Sequence, residues 1–287
     1  MFKLQKIGVV ESITIDKIVT RDSGYLKLGG VTTYAGITYC RNGLPALIVS
    51  NLADRDLKII NKLRAEKLDI FRGATDRTTH FVNRIQGHRR YQELPQKAGP
   101  IVIDQIQAII ARVDGLHLGP LHPHDIDPAA FSLLHKLKLP IFLDVQGFTR
   151  MVENQRVYPS VSGHLSDALE SAQVVKANEV EYQSILEFYQ LNMVELMIRF
   201  KIEECVITLG PKGGFVQTQE GKIFKYAAEY VGTPTDPTGA GDVFFAAYIT
   251  SRFSNQMQIT DACQYAAQIA ARQVAGKFIS LKLLCLG

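Results

Sequence analysis

Short, strongly apolar stretches alternate with amphipathic ones along most of the chain. IGVV near Ile7, ALIVSN from Ala46 and PIFLDV from Pro140 are typical of buried strands, and helical segments such as DLKIINKLRAEKL from Asp56 stand between them. Parallel strands need such crossover helices, and a parallel sheet is covered on both faces. We therefore predict an α/β fold with a doubly wound, mostly parallel sheet and helices on both faces.

The same alternation continues in both directions from these segments. Ligands of such folds bind beyond the carboxyl ends of the strands, so the residues that follow each strand are the candidates for a site. Further strands are predicted at GLHLGP, VVKAN from Val174 and CVITLG from Cys205, and further helices at TTYAGITYCRNG from Thr32, at residues 127–139 and at EVEYQSILEFY.

Two segments interrupt this alternation, residues 11–30 and residues 78–96. Both alternate polar and apolar residues without an intervening helix, as antiparallel ribbons do. We predict that they form a small β-sheet lid over one end of the large sheet. No linker rich in Pro, Gly or Ser divides the chain, so residues 1–287 are expected to form a single domain.

Composition excludes several classes of protein. The 46% hydrophobic content is enough for a sizeable core, and the net charge of +4 arises from 32 basic and 28 acidic residues that are dispersed along the chain, which argues against nucleic-acid binding. We find no secretory signal pattern and no apolar run of about 18 residues, so we expect no membrane association and a cytoplasmic location. The four cysteines are far apart and lack a CxxC pair, which favours a reducing compartment.

The sequence DPTGAGDVFFAAYI, residues 236–249, combines small residues and an acid in front of an apolar helical run. The first turn of a helix presents unpaired N–H groups and the positive end of the helix dipole, and glycines let a ligand approach the backbone. That combination suits an anion. Taken alone, the segment is equally consistent with an ordinary helix start in which Thr238 is the N-cap and Asp242 lies in the first turn.

Three other motifs accompany this one in a fixed order: GG at Gly29 and Gly30, VVKANEVE from Val174, and VITLGPKGG from Val206. Together they resemble the ribokinase-like (PfkB) family of sugar and nucleoside kinases, and the resemblance spans nearly the whole chain. It implies an ATP-dependent kinase that transfers the γ-phosphoryl group to a hydroxyl of a small sugar or polyol. A nucleoside kinase of the same fold, or a catalytically silent sugar-binding protein, remains an alternative.

The resemblance gives the 236–249 segment a chemical interpretation. A sugar hydroxyl is a poor nucleophile, so a carboxylate that accepts its proton is needed, and Asp242 is the candidate general base. The backbone N–H groups of Gly239, Ala240 and Gly241 would stabilise the transferring phosphoryl group. By the same resemblance, Asp236 and Thr238 are candidates for binding an activating monovalent cation such as K⁺.

The donor side of the site is expected along the next two strands. Asn178 and Glu181 are one helical turn apart and can hold the water shell of Mg²⁺, although an ordinary helix start would explain them too. The loop containing Thr208, Gly210 and Gly213 can approach the nucleotide phosphates, although such a loop is more often a plain hairpin connection. Ala266, Ala267 and Ala270 either border an adenine or allow close helix packing.

The acceptor side is less well defined. Asp16 stands where the family commonly has an acid that bridges two substrate hydroxyls, and Tyr34 stands where many members have Asn. We expect the Tyr34 ring to face the substrate with its hydroxyl at the rim. No cluster of basic residues is apparent here, so a neutral sugar or myo-inositol is expected to outrank sugar phosphates and nucleosides. The other acceptor candidates are Gly29 and Gly30, which alone are also typical of a hairpin turn, and Gln146 and Arg150 of DVQGFTR, a run similar to the inositol-kinase-like branch.

Two further features leave choices open. His117, His122 and His124 are close in sequence, but no accompanying helix motif with carboxylate and histidine supports a metal site. There is no GxxxxGK[ST] phosphate loop and no GxSxG hydrolase motif.

The predicted lid has strand edges that can pair with a second copy, so a homodimer through the lid strands is an alternative to a monomer.

Overall fold

A computed structural model describes residues 2–21, 23–86, 89–232 and 237–286. These residues form a nine-stranded sheet and a six-stranded sheet. The strands are β1 (Ile7–Val10), β2 (Thr14–Val19), β3 (Gly24–Gly29), β4 (Ala46–Leu52), β5 (Asp69–Ala74), β6 (Thr79–Gln86), β7 (Arg89–Gln96), β8 (Gly115–Leu118), β9 (Ile141–Asp144), β10 (Arg150–Glu153), β11 (Arg156–Pro159), β12 (Val174–Asn178), β13 (Glu204–Thr208), β14 (Gly214–Thr218) and β15 (Ile223–Tyr226). The α-helices are α1 (Val31–Arg41), α2 (Lys58–Ala65), α3 (Ile103–Ile110), α4 (Phe131–Leu134), α5 (Leu165–Ser171), α6 (Glu179–Tyr189), α7 (Met193–Phe200), α8 (Ala240–Ile249), α9 (Ile259–Val274) and α10 (Leu281–Leu284).

The large sheet has the strand order β15-β14-β13-β12-β9-β8-β1-β4-β5. The strands from β13 to β5 run parallel, and β14 and β15 are added in antiparallel orientation at one edge. Successive residues of a strand face opposite sides, and side chains of β1 accordingly divide between two buried clusters, with Val9 in one and Val10 in the other. The predicted doubly wound α/β fold is confirmed.

Helices cover both faces of this sheet. One core cluster joins α1, α8 and α9 to the sheet, and the other joins α3, α5 and α7. The predicted helix over residues 127–139 is wrong in length, because it consists of a 3₁₀ turn at Pro128–Ala130 followed by α4. Asp127 caps that turn, and Pro140 disfavours helical geometry at Leu139, so the chain extends there toward β9.

The smaller sheet is the lid, with strand order β10-β11-β7-β6-β2-β3. The two ribbons expected from the sequence, β2–β3 and β6–β7, are both antiparallel, and β2 and β6 join them in parallel. The β10–β11 hairpin was not expected, and it is linked to the lid where Arg156 pairs with Glu93 of β7. At the other edge, the N–H of Leu286 donates to the carbonyl of Leu26 in β3 at 2.9 Å, so this edge is partly covered.

The lid has an inward and an outward face. Asp16, Phe81 and Gln92 point into a cavity beneath the lid, so their strand neighbours point away from it. Likewise, Val152 and Val157 pack against Phe81 and Leu94, which turns Met151 and Tyr158 outward as a cross-strand pair. We call the outer lid face the exposed apolar set formed by Leu26, Tyr91, Met151 and Tyr158, which are between 41% and 46% exposed.

Candidate active site

A cavity of about 870 Å³ lies between the carboxyl ends of the central strands, the start of α8 and the inward face of the lid. β9, β12 and β13 end at it, and α1 and α8 begin beside it, as expected for a ligand site in a parallel α/β sheet. Of the residues proposed from the sequence, the lining includes Asp16, Gly30, Tyr34, Gln146, Arg150, Asn178, Glu181, Thr208, Gly210, Gly213, Thr238, Gly239, Ala240, Gly241 and Asp242.

The turn into α8 depends on Gly239. Its φ is +75°, and a Cβ placed on it would lie 2.3 Å from the ring of Tyr34, so a side chain there meets both backbone strain and a steric clash. The N–H of Ala240 donates to the carbonyl of Pro237 at 3.2 Å and closes the turn. Gly239, Ala240 and Gly241 line the cavity, and the unpaired N–H groups of such a first helical turn can bind an anion.

Asp242 lies in the first turn of α8, where it is partly buried and lines the cavity. Burial raises the pKa of this carboxyl to about 7; the charge of Lys176 opposes the rise, and the nearby charge of Asp144 adds to it. A carboxylate whose pKa lies near neutrality accepts a proton and releases it again without a large free-energy cost, which suits a general base.

Lys176 and Asp144 form a buried ion pair beside Asp242 that sequence reasoning missed. The Lys176 Nζ atom donates to Asp144 Oδ2 at 2.7 Å, and it lies 3.2 Å from the position that a Cβ on Gly241 would occupy. Burial alone would lower the pKa of Lys176, but the charges of Asp144, Glu181 and Asp242 outweigh it and raise the pKa above its usual value. An ammonium ion therefore stands next to the helix start. The signal was present in VVKAN, since a charged residue within a buried strand needs a partner.

Asn178 and Glu181 form a reciprocal capping box at the start of α6. The Asn178 side chain accepts from the Glu181 N–H at 3.0 Å, and Glu181 Oε2 accepts from the Asn178 N–H at 2.8 Å. The ordinary helix-start explanation is thus met, and both residues also line the cavity. Burial raises the pKa of Glu181, and Lys176 opposes this rise.

The loop after β13 is both a hairpin connection and part of the cavity wall. β13 and β14 pair in antiparallel orientation around it, and Thr208, Gly210 and Gly213 line the cavity. Gly213 has a φ of +87°, and a Cβ on it would lie 2.2 Å from the carbonyl oxygen of Tyr226, so the close approach of β15 requires a glycine. The hairpin and nucleotide-loop interpretations of this segment are therefore compatible.

The alanines of α9 divide between packing and the cavity. Ala266 is fully buried in the core, while Ala267 and Ala270 line the cavity together with Ala271 and Val274. The two interpretations of these alanines, close helix packing and a border for an adenine, each fit a different side of α9, because successive residues of a helix face different directions.

The acceptor end of the cavity is built around Asp16 of β2. Asp16 Oδ1 accepts from Thr14 Oγ1 at 3.0 Å, and a Cβ on Gly29 would lie 2.5 Å from the Asp16 carboxyl carbon. Gly30 has a φ of +85° and begins α1, and a Cβ on it would lie 2.7 Å from Glu11 Oε1. The two glycines therefore form a strand-to-helix junction between two carboxyl groups, not a hairpin turn.

Glu11 is a second residue that the sequence analysis missed. Its carboxylate accepts from the Thr32 N–H at 2.5 Å and so caps α1 from outside the helix, although it is fully buried. Burial raises its pKa well above the usual value, and the charge of Asp125 adds to the effect. Glu11 thus holds α1 in place beneath Gly30.

Tyr34 differs from the expectation. Its side chain is 1% exposed and its ring packs behind Gly239, so its hydroxyl is not at the cavity rim. The cause is the position of Tyr34 in the first turns of α1, which packs against α8. Gln146 and Arg150 remain at the acceptor end, where the Gln146 amide, with its oxygen toward Arg150, accepts from the guanidinium Nη1 at 2.9 Å.

The structure places only some of the residues that the sequence suggested for binding metal ions. Asp236 lies outside the described residues, and Thr238 lines the cavity. His117 is remote from His122 and His124, because it lies in β8 and its Nδ1 atom contacts the Tyr39 hydroxyl at 3.0 Å in the core. Burial lowers the pKa of His117 to about 3. Among the residues that the structure describes, no group of three or more His, Cys, Asp or Glu side chains is arranged to hold a metal ion.

A sequence model of the pfkB family of carbohydrate kinases matches residues 129–277, which include Lys176, Glu181 and Asp242. The chain belongs to this family. It is therefore a kinase, a phosphotransferase with a hydroxyl acceptor. No curated protein sequence matches the chain.

Solved structures of ribokinase-family kinases share the fold of this pfkB kinase. A pyrophosphate-dependent kinase in complex with a pyrophosphate analogue and myo-inositol superposes with a TM-score of 0.82 at 18% identity, covering 93% of this chain and 94% of the other. A nucleoside kinase from Methanocaldococcus jannaschii gives 0.77 at 15% identity, covering 98% and 95%. Ribokinase from Thermotoga maritima also gives 0.77 at 15%, covering 97% of each chain.

A second cavity of about 360 Å³ adjoins the first, which is called the reaction cavity below after the function we propose for it, and the two share Arg150. We call the second one the histidine cavity. Its basic lining comes from three separate loops and the β10–β11 hairpin, which is why no cluster was visible in the sequence. The basic side chains are Lys97, His122, His124, Arg150 and His164.

No helix within the described parts of the chain combines the length and the apolar character needed to cross a bilayer.

Proposed function

We propose that this pfkB kinase transfers the γ-phosphoryl group of ATP to a hydroxyl of a small sugar or polyol, with Asp242 as the general base. One observation carries the proposal: a single cavity is lined by Asp16 of the lid, by the start of α8 and by Asp242 in the first turn of that helix. A hydroxylated acceptor and a phosphate donor can meet there with a base of suitable pKa between them.

The reaction follows from this arrangement. Asp242 accepts the proton of the acceptor hydroxyl while its oxygen forms a bond to the γ-phosphorus, and the bond from that phosphorus to the β,γ-bridging oxygen breaks, releasing ADP. The first-turn N–H groups of α8 and the Lys176 ammonium stabilise charge on the phosphoryl oxygens. Losing one such donor in other enzymes costs about 3 kcal/mol of transition-state stabilisation.

The oxygen-rich donor set near the helix start fits Mg²⁺. Glu181 and the amide oxygen of Asn178 are ligand types that magnesium accepts, and the capping box leaves them suited to hold it through its water shell. When bound, Mg²⁺ neutralises donor phosphate charge. We expect Glu181→Gln to raise the Mg²⁺ concentration for half-maximal activity, whereas Glu195→Gln, the same change in the capping box of α7, should not. An unchanged titration would leave Glu181 with the capping role alone.

A role for K⁺ rests on Thr238, which lines the cavity, and on Asp236. Activity in K⁺ compared with a large organic cation at equal ionic strength tests it.

The apolar wall beside the donor end favours a nucleotide. Ala267, Ala270, Ala271 and Val274 of α9 lie along the cavity, and Phe244 adds an aromatic ring, so a flat base has apolar surface to cover. Because a structural neighbour uses pyrophosphate, that donor belongs in the comparison. Ala270→Arg should raise the KM for ATP by narrowing this wall and leave any pyrophosphate-dependent rate unchanged. A larger kcat/KM with pyrophosphate than with ATP would overturn the assignment of the donor.

A neutral polyhydroxylated acceptor remains the expectation for the other end. Asp16 can accept hydrogen bonds from two substrate hydroxyls, and one structural neighbour is a kinase in complex with myo-inositol. The deciding experiment is a screen of product release over neutral sugars, inositols, nucleosides and sugar phosphates, with Asp16→Ala beside the parent. If a nucleoside or a sugar phosphate exceeds every neutral acceptor tenfold, the acceptor assignment fails. If nothing is phosphorylated, the kinase proposal fails and a sugar-binding role takes its place.

We also propose that the outer lid face packs against a second copy of the chain. Four large apolar side chains stand exposed on this side of the lid, and three of them, Tyr91, Met151 and Tyr158, come from the neighbouring strands β7, β10 and β11. Apolar patches of this kind often mark a protein interface. Face-to-face packing suits this lid better than pairing of edges, because β3 is already bonded to Leu286.

A further inference from the structure

Arg150 belongs to two cavities. On one side its charge acts on Asp242 and Glu181 in the reaction cavity, and on the other it lines the histidine cavity. Gln146 holds the guanidinium between them by accepting from Nη1 at 2.9 Å. A ligand in the histidine cavity therefore contacts a group that also serves the reaction cavity.

The lining of the histidine cavity is strongly asymmetric in charge. In the described residues, Lys97 and Arg150 bring permanent positive charges, three imidazoles and the hydroxyls of Ser160 and Ser162 bring further donors, and no carboxylate lines the space. Arg and Lys are the side chains that bind phosphate most effectively, through charge-assisted hydrogen bonds.

The histidines are held in place by the backbone. The His122 Nδ1 atom accepts from the His124 N–H at 3.2 Å, and the rings of His124 and His164 meet edge to face with centroids 5.3 Å apart. Gly147 makes this possible, because a Cβ there would lie 2.3 Å from the Pro120 carbonyl oxygen and displace the loop that carries His122.

His122, which lines this cavity, has one buried ring nitrogen without a hydrogen-bond partner among the described residues. Its Nδ1 is an acceptor in the hydrogen bond to His124, so in the neutral ring the proton is on Nε2. This Nε2 atom has no hydrogen-bond partner among the described residues, and the closest approach to the Asp125 carboxylate is 4.0 Å. A buried N–H in this state gains by meeting an acceptor.

We infer that the histidine cavity binds a phosphate-type dianion, and that this binding alters turnover through Arg150. The volume is near the lower end of the roughly 300–1,000 Å³ range of ligand pockets, so the ligand is inorganic phosphate or a small phosphate ester. A bound dianion draws the guanidinium toward itself and weakens its interaction with Asp242 and Glu181. We therefore expect kcat to fall when the cavity is filled.

Binding is tested without reference to kinase activity. The full chain labelled with ¹⁵N-histidine is titrated with inorganic phosphate at fixed pH, with sodium chloride of equal ionic strength as the salt control. The imidazole signals of His124 and His164 should shift and saturate within tens of millimolar phosphate, while the His135 signal, from outside the cavity, should not. Equal shifts at His135, or none at His124 and His164, would overturn the proposal.

Two variants locate the site. Lys97→Met/His164→Gln removes two donors, and Gly163→Asp adds a carboxylate where a Cβ meets nothing within 4 Å. Both should weaken the phosphate-induced shift of His124 at least fivefold, and the exposed Lys138→Met should not. A phosphate response that persists in both variants would refute the assignment.

The kinetic arm rests on the proposed function and identifies the source of the phosphate group. If free phosphate is the ligand, it should lower kcat at saturating donor and acceptor, and Gly163→Asp should abolish this inhibition. If the group is part of the acceptor, the same variant should raise the KM for sugar phosphates at least tenfold and leave that of neutral acceptors unchanged. If Gly163→Asp changes neither the inhibition by phosphate nor the KM for sugar phosphates, the link through Arg150 is contradicted.

Discussion

The ionisable side chains at the floor of the reaction cavity do not balance in charge when all are ionised. Three acids face two bases there, and the low dielectric makes the excess negative charge costly. Desolvation is the main cause of the raised pKa of Asp242, and its protonation near pH 7 also removes that excess negative charge. The group consists of Asp144, Arg150, Lys176, Glu181 and Asp242.

Removal of the proposed general base should slow phosphoryl transfer without weakening the binding of ATP. Asp242→Asn keeps the shape of the side chain and loses the proton acceptor, so we expect kcat to fall at least about a hundredfold with the ATP dissociation constant nearly unchanged. Single-turnover kinetics and calorimetric titration with ATP check the two parts. Asp261→Asn, the same change in the exposed first turn of α9, is the control and should behave as the parent. Turnover by Asp242→Asn near the parent rate would remove Asp242 from the mechanism.

The buried ion pair should set the pH dependence of kcat/KM. Because Asp242 must be deprotonated to act as base, activity should rise with pH through a limb near pH 7. Lys176 lowers the pKa of Asp242 and Asp144 raises it, so Lys176→Met should move the limb to higher pH and Asp144→Asn to lower pH. Opposite shifts measured by the pH profile support the assignment. Movement of both limbs in one direction would contradict it.

At the scale of elements, the turn before α8 shows how a glycine requirement couples two helices. Gly239 is constrained by its φ of +75° and by the Tyr34 ring of α1, whereas Gly43 has a φ of +82° with nothing within 4 Å of a Cβ. A comparison of substitutions at Gly239 and Gly43 therefore separates the free-energy cost of a left-handed backbone from the cost of the steric contact with Tyr34.

Gly239→Ala should lose more than Gly43→Ala in both stability and activity. The left-handed conformation costs an alanine about 1 kcal/mol at either position, and the contact with Tyr34 adds to it at Gly239 and displaces the helix start. Thermal unfolding and kcat measure the two effects. Gly43→Ala should retain full kcat. Equal losses in the two variants would show that Tyr34 does not support the turn.

The sequence predicted the elements whose pattern is local and missed those set by contacts between distant segments. The apolar strands and the helix with Asp242 in its first turn follow from periodicity and capping, and both are confirmed. The β10–β11 hairpin is short and is ordered by β7, so its residues show no distinct local pattern. Lys176 was visible, but its partner Asp144 is 32 residues away and becomes adjacent only when β9 and β12 pair. The placement of Tyr34 likewise depends on α8.

At the scale of the whole molecule, the two faces of the lid differ: one faces the reaction cavity, and the other is the interface that we propose. The inward face carries Asp16 and Gln92 toward the reaction cavity. The outward face is apolar at four positions contributed by four different strands, so it is a property of the assembled sheet and is not visible in any one segment. A stable interface buries about 800 Å² on each partner, so the proposed interface has to extend beyond the four apolar side chains.

We predict that the chain is a dimer in solution and that the outer lid face holds it together. Tyr91→Glu/Tyr158→Glu places two charges in the patch, which should not be tolerated in an apolar interface, so sedimentation equilibrium should give the monomer mass. Ile198→Glu is the matched control, since Ile198 is 60% exposed on α7, away from the lid, and it should leave the dimer intact. Circular dichroism verifies that each variant is folded. A parent chain that sediments as a monomer at the concentrations of the assay would refute the interface. If instead the dimer forms and the charged variant is a folded monomer, the acceptor KM should rise in that variant, because the sheet that loses its outer support carries Asp16 on its inward face.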